Sequence, residues 1–317
     1  MTGTGTQTDP YVIMTVAELY SMGETGGSEI YFKLGTDIDL NGTPYAEHFE
    51  SITLNCAGLD GQGHCIRNIV SQSGDKQPII FNTVARGGTK KVEIKNLRLE
   101  NIQLTGELTY VFSMKNYGGD YTYLKLYNCV FLLNITQYGT VAGTVKGRSC
   151  MTSEYIRDSE AELCTFCFKS VSETHHAFCA TMTMKRCHIH FDSYINEAAP
   201  AAYAACGLIS HSSLSDSYIT GRIRYGEKNP DGYRFICSQC GNFDNSFFAL
   251  NVENGKKLYW DAHFVTVCFY DKDLIPNTAI THTYTSDQVK KFCALTTAQC
   301  KSAEYLTSIG FLCAGEE

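Results

Sequence analysis

Two cysteine pairs have the spacing that a structural zinc site uses. Cys164 and Cys167 form one Cys-x-x-Cys pair, and Cys237 and Cys240 form the other. Two such pairs can supply the four thiolates of a tetrahedral zinc ion. Ribbon-type sites, however, keep only about 15–20 residues between their pairs, whereas residues 168–236 separate these two. We therefore predict that these cysteines do not share a metal.

Histidines are the second group of residues that could bind a metal. His175 and His176 are adjacent, and His188 and His190 are two residues apart. Because side chains alternate along a strand, His188 and His190 would lie on the same face. No carboxylate or cysteine falls at a matching position in the sequence. We interpret these histidines as surface residues and predict no metal site and no cofactor.

Cleavage of polysaccharides is the third chemistry that we consider, because many β-solenoid proteins carry it out. Glycosidases need two carboxyl groups at a defined separation. Lyases need a calcium-binding carboxylate cluster with a basic residue nearby. Asp37 and Asp39 would share a strand face, but they lie early in the chain, where capping a turn is the better explanation. We predict that the protein is not an enzyme. A polysaccharide lyase or glycoside hydrolase whose site is assembled from single residues of several coils is the alternative.

Most of the cysteines follow a periodic pattern that needs no chemistry. A small residue precedes an alternating apolar strand about every 30 residues, which is typical of a solenoid. In a solenoid, equivalent residues of successive coils stack, and cysteine packs there as a small apolar side chain. The first predicted column contains Cys129, Cys164, Cys187, Ser217 and Ser246, and the second contains Ser113, Cys179, Cys206 and Cys237.

Short strands and terminal helices must position these columns. Apolar residues recur at every second position, as in Ile219 and Ile223 or in Phe248 and Leu250, which indicates strands with one buried face. Thr15 and Glu18 have the spacing of a capping box and predict a short helix at the N-terminal end. Each coil is expected to carry at least two strands joined by a bend.

Loops that interrupt the periodic pattern are the predicted binding region. Loops on a rigid scaffold often carry binding residues, and aromatic rings offer a flat apolar face to a sugar. The alternative is that these loops are neutral insertions. The candidate glycan-binding residues are Tyr117, Asp120, Tyr121, Tyr155, Arg157, Tyr225 and Asp231.

Composition excludes several classes of partner. The net charge of −7 and the pI of about 5.7 argue against a nucleic-acid surface, which needs clustered lysine and arginine. The sequence has no apolar run of the length that spans a membrane, so we predict no membrane insertion. Residues 1–10 lack the basic and apolar regions of a signal peptide, which favours synthesis in a cytoplasm with reduced thiols.

Five segments carry a resemblance to a known family. They are residues 3–11, 15–19, 34–40, 59–69 and 296–311, and the fourth contains the turn Asp60-Gly61-Gln62-Gly63-His64. In this order they resemble right-handed parallel β-helix proteins of the pectin-lyase-like superfamily, of the non-enzymatic kind found in bacterial surface proteins with GLUG-type repeats and in phages and prophages of gut bacteria. The polygalacturonase members of that superfamily carry an Asp-Asp pair and a Gly-His-Gly sequence, and this chain contains neither.

The resemblance and the periodic pattern together predict the architecture. We expect an all-β fold, a single-stranded right-handed parallel β-helix with a short N-terminal capping helix and a small C-terminal helical cap. The expected parts are an N-terminal cap with the first coils in residues 1–58, the parallel β-helix in residues 59–264, and a last strand with the helical cap in residues 265–317.

The resemblance also implies a function. Because the sequence lacks the signal peptide and wall anchor of the bacterial surface kind, we expect a phage virion protein made in the host cytoplasm, such as a decoration, head-fibre or tailspike-like subunit. We expect a homotrimer that contacts other virion proteins and adheres to host cell-surface polysaccharide or mucin glycans. A polysaccharide depolymerase and a bacterial surface adhesin are the alternatives.

Overall fold

A computed structural model of the chain describes residues 1–47, 49–71, 78–84, 90–106, 109–114, 121–137, 151–152, 156, 158–172, 182–195, 209–210, 212–226, 234–253, 258–265, 268–275 and 292–308. In chain order the elements begin with β1 (Tyr11–Ile13), α1 (Val16–Tyr20), α2 (Met22–Thr25), β2 (Tyr31–Leu34), β3 (Ile38–Asp39), α3 (Pro44–Glu47), β4 (Ile52–Leu54), β5 (Gly58–Asp60), β6 (Cys65–Val70), β7 (Ile79–Thr83), β8 (Lys90–Lys95), β9 (Arg98–Gly106) and β10 (Tyr110–Met114).

The chain continues with the strands of the later coils and ends in two short helices. These elements are β11 (Thr122–Tyr127), β12 (Val130–Gln137), β13 (Ser159–Glu162), β14 (Thr165–Ser172), β15 (Met182–Lys185), β16 (His188–Ile195), β17 (Ile209–Ser210), β18 (Ser213–Ser215), β19 (Tyr218–Tyr225), β20 (Arg234–Asp244), β21 (Ser246–Glu253), β22 (Leu258–Val265), β23 (Cys268–Asp271), β24 (Phe292–Leu295), α4 (Thr297–Cys300) and α5 (Ala303–Ser308).

These strands form three parallel sheets. The first sheet runs β1-β2-β5-β8-β11-β13-β15-β18-β20, with β17 and β22 also paired to β20. The second runs β3-β6-β9-β12-β14-β16-β19-β21-β23-β24, and the third is β4-β7-β10. The chain passes from sheet to sheet and returns one strand further along, which is the arrangement of a parallel β-helix. The predicted all-β parallel β-helix is therefore confirmed, and its early coils contain three strands.

A single residue in the left-handed backbone region makes the turn from the first sheet to the second. Asparagine and aspartate tolerate this conformation better than other residues that carry a Cβ. The backbone N–H at this position donates to the next coil, for example from Asn128 to the carbonyl of Glu162 at 3.0 Å. The residues with this positive φ are Asn96, Asn128, Leu163, Arg186, Asp216 and Asn245.

The interior is one apolar core that all three sheets share. Phe131 and Phe166 lie on neighbouring coils of the second sheet with ring centroids 5.5 Å apart. Phe112 of the third sheet meets Phe131 edge-on at 6.0 Å. These side chains are fully buried. Burying one phenylalanine contributes about 1.5–3 kcal/mol, so this stacked row is a main source of stability.

The described C-terminal α-helices pack against the side of the β-helix, on the outer face of its second sheet. Leu306 of α5 forms a small separate core with Phe247, Phe269 and Leu295. The buried Asp271 carboxylate accepts hydrogen bonds from the Thr297 hydroxyl at 2.9 and 3.0 Å, which fixes the start of α4. The predicted helical segment thus covers the outward residues of the last strands.

Candidate ligand-binding cleft

A cleft of about 240 Å³ lies on the outer face of the first sheet. It spans strands β2, β5 and β8, which belong to three successive coils, and the N-terminal segment forms one wall. Its polar lining comes from alternate residues of these strands, because side chains on a strand point to opposite faces. The lining residues are Gln7, Pro10, Tyr31, Phe32, Lys33, Gly58, Leu59, Asp60, Gln62, Glu93 and Lys95.

A tightly folded N-terminal segment holds the wall of this cleft in place. Gly3 has a φ of +98°, and a Cβ there would lie 2.3 Å from the Pro10 carbonyl oxygen. The amino group of Met1 pairs with a carboxylate oxygen of Glu18 at 2.7 Å. This pairing is the main cause that lowers the pKa of Glu18. The wall is therefore anchored by contacts on both sides of Gln7.

An aromatic ring forms the floor of the cleft. Tyr31 and Gly58 are register neighbours on β2 and β5. A Cβ at Gly58 would lie 2.9 Å from the ring of Tyr31, so the ring rests directly on the glycine backbone. The Tyr31 side chain is half-buried. The missing side chain at residue 58 thus lets a tyrosine ring line the cleft.

Paired charges lie beside this ring. A carboxylate oxygen of Asp60 lies 3.2 Å from the Lys95 ammonium, and the other accepts from the Gln62 N–H at 3.0 Å and from Asn96 Nδ2 at 3.1 Å. Burial alone would raise the pKa of Asp60, but these bonds outweigh it and hold that pKa below its usual range. Asp60 is thus kept ionised, a state suited to binding and ion pairing rather than to proton donation.

The remaining charges leave one lysine available to a ligand. Glu93 lies 3.8 Å from the Lys125 ammonium of the next coil. Among the residues that the structure describes, no carboxylate lies within 4.0 Å of the Lys33 ammonium. Lys33 lies on the same strand face as Tyr31. The cleft thus combines a ring face, hydrogen-bonding groups and a lysine that forms no ion pair with a described carboxylate.

The first predicted column lies in register in the structure. Strand pairing aligns Cys129, Cys164, Cys187, Ser217 and Ser246, and their side chains are buried. All five side chains donate to the carbonyl two residues earlier, at 3.4 Å for Cys129 and Cys187, 3.3 Å for Cys164, 2.8 Å for Ser217 and 2.9 Å for Ser246. These side chains therefore fasten the left-handed turn.

Cys164 is the middle of the three thiols of this column and is poorly suited to nucleophilic chemistry. Hydrogen bonds with Cys164 lower the pKa values of Cys129 and Cys187, but both of these thiols are fully buried. Contacts with Cys129 and Cys187, together with burial, raise the pKa of Cys164. A thiol must ionise before it can attack or ligate a metal. In the described part of the chain, no group of three or more histidine, cysteine, aspartate or glutamate side chains is arranged to hold a metal ion.

Members of the second predicted column lie on different sheets. Ser113 is on β10 of the third sheet, where it pairs with Asn82. Cys237 is on β20 of the first sheet, where it pairs with Ile209 and Trp260. The sequence spacing predicted that Ser113 and Cys237 occupy equivalent positions. The loops of their coils differ in length, so similar spacing in the sequence leads to different sheets. Cys179 and Cys206 lie outside the described residues.

Most of the predicted glycan-binding residues lie outside the described residues. These are Tyr117, Asp120, Tyr155, Arg157 and Asp231. Tyr121 is half-buried directly before β11, and its carbonyl accepts from the Lys90 N–H at 3.0 Å. Tyr225 is the last residue of β19. Tyr121 does not line the cleft. The sequence signal for the cleft was the polar alternation in residues 31–33 and 93–95, but only the strand register brings these residues together.

Comparisons with known proteins add little to this geometry. No known protein family matches the sequence, and no curated protein matches it. Among solved structures, one described as a putative immunoglobulin A1 protease from Bacteroides ovatus is similar at 15% identity and a TM-score of 0.42. The match covers 97% of this chain and 90% of the other. We draw nothing about this protein from so low a similarity.

The described helices are also relevant to membrane insertion. None of them has both the length and the apolar character required to cross a bilayer.

Proposed function

We propose that this protein is a non-enzymatic structural β-helix of a phage virion that adheres to glycans through the cleft on the first sheet. The observation that carries the adhesion is the Tyr31 ring, which packs against the Gly58 backbone beside the Lys33 ammonium. A flat aromatic face packs against the apolar face of a sugar ring. Gln7 and Gln62 line the same cleft and offer amide groups to sugar hydroxyls.

The charge of the cleft favours an acidic sugar. Asp60 is paired with Lys95, and Glu93 faces Lys125. Lys33 then provides the cationic group for a carboxylate or a sulfate of the ligand. We therefore propose glycans that carry sialic acid, uronic acid or sulfate, as mucins and capsular polysaccharides do.

The virion assignment rests on the sequence resemblance and on the β-helix fold. A parallel β-helix supplies a rigid shaft, and homotrimers of such shafts with other virion proteins would display the cleft on the particle surface. Mass spectrometry of purified virions tests this assignment. The protein should be present in a fixed ratio to the capsid protein, and its absence from intact particles would exclude a virion role.

A polysaccharide depolymerase is the second candidate. What favours it is that the cleft places two carboxylates, Asp60 and Glu93, near two lysines, Lys33 and Lys95. Incubation with polygalacturonate, chondroitin sulfate and mucin glycans distinguishes the two functions. New reducing ends or unsaturated products would establish cleavage, whereas retained binding without products supports adhesion. A bacterial surface adhesin would bind the same glycans but would be found on cells rather than on virions.

Binding measurements with matched variants test the cleft itself. Calorimetry with sialyllactose and lactose should show that Tyr31→Ala weakens both affinities by about 3- to 10-fold, the value of one aromatic contact. Lys33→Gln should weaken sialyllactose binding more than lactose binding. Tyr127→Ala and Lys91→Gln alter exposed residues of the same sheet that do not line the cleft, and they should bind as the wild type does. Equal losses in the cleft and control variants would refute the site.

A further inference from the structure

Two histidines share one hydroxyl group on the outer face of the second sheet. His188 and His190 lie on β16, and Thr220 lies opposite on β19. The Thr220 hydroxyl oxygen is 2.9 Å from His188 Nε2 and 2.9 Å from His190 Nδ1. The centroids of the two imidazole rings are 6.2 Å apart. One hydrogen bond of each ring therefore depends on the same hydroxyl.

Hydrogen counting shows which charge states this arrangement accepts. A hydroxyl donates one hydrogen bond and accepts up to two. When both rings are neutral, one ring donates to Thr220 and the other accepts its hydrogen. One added proton is also accommodated, because a protonated ring still donates to the oxygen. When both rings are protonated, both nitrogens donate, and the Thr220 hydrogen loses its acceptor while two cations lie side by side.

Within the described part of the chain, no carboxylate forms an ion pair with either imidazole. The register places Cys167 of β14 beside His190, and Lys169 lies one position further on the same face. On the other side, Arg222 pairs with Asp192 at 3.2 Å, so this carboxylate is already engaged. Among the described residues, no carboxylate lies within 4.0 Å of either imidazole. A second positive charge here would go unpaired.

Tyr218 connects the pair to the C-terminal helices. The His188 ring stacks on the Tyr218 ring with centroids 4.1 Å apart and planes 14° apart. Tyr218 in turn packs against the small core that Leu306 of α5 forms with Phe247 and Phe269. Hydration of a charged His188 requires water beside Tyr218, which is at the edge of the surface that α5 covers.

We propose that His188, Thr220 and His190 form an acid-sensitive latch that holds the C-terminal helical segment α4–α5 on the outer face of the second sheet. At neutral pH the shared hydroxyl keeps His188 stacked on Tyr218. In acid, protonation of both rings opens this contact and releases α5. Release uncovers the apolar side chains of Phe247, Phe269 and Leu295 on the strand face.

The titration of His188 agrees with this geometry. Burial, and then the neighbouring His190, lower the pKa of His188 from 6.5 to about 4. A folded-state pKa below the unfolded value means that the latched state is fully favoured above about pH 6.5 and is weakened as the pH falls toward 4. The latch should therefore open within this interval.

Hydrogen exchange of the full chain at pH 7.0 and pH 4.5 tests the proposal. If the whole lowering of the His188 pKa acts on the latch, the released state is favoured by up to about 100-fold at pH 4.5. Because His188 is partly exposed to solvent, we expect an effect of about tenfold. After correction for intrinsic rates, the amides of α5 should exchange about tenfold faster at pH 4.5. The amides of β9 and β12, several coils away, should change little. A uniform rise in all coils would overturn the proposal.

A neutral replacement separates the latch from general acid unfolding. His188→Gln carries no charge at any of these pH values, and its amide can still donate to Thr220. This variant should keep α5 protected at pH 4.5 and should not gain binding of an apolar dye there, whereas the wild type should. His64→Gln alters an exposed histidine that pairs with Asp37 at the other end of the chain and should behave as the wild type does. If His188→Gln releases α5 in acid as the wild type does, the latch is refuted.

Discussion

Leu163 occupies a turn position where its backbone is strained, and replacing it with asparagine should stabilise the protein. Its φ is +55°, a region that bulky residues rarely adopt. Strain of this kind costs on the order of 1–3 kcal/mol. The equivalent residue of the preceding coil is Asn128, whose Nδ2 donates to Asn96 Oδ1 at 2.8 Å. An asparagine at residue 163 would extend this row of side-chain hydrogen bonds by one member.

The expected gain combines three terms. Relief of strain contributes about 1 kcal/mol, and one added side-chain hydrogen bond contributes about 0.5–1.5 kcal/mol. Loss of the half-buried leucine side chain costs about 1 kcal/mol. The free energy of unfolding should therefore rise by about 0.5–1.5 kcal/mol for Leu163→Asn. Leu163→Gly relieves the strain but adds no hydrogen bond, so it should be less stable than Leu163→Asn.

Urea unfolding followed by far-ultraviolet circular dichroism checks this order. The midpoint should rise for Leu163→Asn at an unchanged slope, which is the sign of a change in stability alone. Leu132→Asn makes the same replacement at an exposed strand position and should not stabilise the protein. If Leu163→Asn is no more stable than the wild type, or if the glycine variant is the more stable of the two, the reasoning about the turn is wrong.

Three further predictions concern a close backbone contact, a buried thiol and an ion pair. Gly221→Ala should abolish soluble folded protein, because the new Cβ would lie 1.9 Å from the Phe191 carbonyl oxygen. Gly63 also has a positive φ but lies in open space, so Gly63→Ala should lower the free energy of unfolding by only about 1–2 kcal/mol, measured by thermal unfolding. Cys164→Ser should unfold within about 1 kcal/mol of the wild type, because serine already occupies equivalent turns and makes the same bond to a carbonyl. Asp60→Asn should cost about 1 kcal/mol at pH 7 through the weakened bonds to Lys95 and its neighbours. Because the pKa of Asp60 is lowered in the folded state, its contribution is present above the ordinary pKa of an aspartate and is lost as the pH falls through the lowered value. The difference between the two proteins in chemical unfolding should therefore shrink as the pH falls below that range.

The turn between the first and second sheets could be predicted from the sequence because it is local. A small side chain that donates to a carbonyl two residues away, directly after a residue that tolerates a positive φ, leaves a short recurring pattern. Cys129, Cys187 and Ser217 follow Asn128, Arg186 and Asp216 in this way. The third sheet left no such pattern. The loops that lead to β7 and β10 differ in length, so a fixed sequence period does not register them.

The cleft could not be found from the sequence for the same reason. The sequence directed attention to loops rich in tyrosine, but the described site uses outward residues of regular strands. Tyr31, Gly58 and Glu93 are register neighbours across three coils. Each is unremarkable in its own segment, since polar residues on the outer face of a strand are the common case.

By itself, the sequence determined the repeating coil, the all-β parallel architecture and the positions of the first column, because these depend on spacing within one coil. Only the tertiary structure decided which residues of different coils meet. It laid Tyr31 on Gly58, shared Thr220 between His188 and His190, and placed α5 over Phe247 and Phe269. Parallel stacking sets these contacts through register, and register depends on loop lengths that vary from coil to coil.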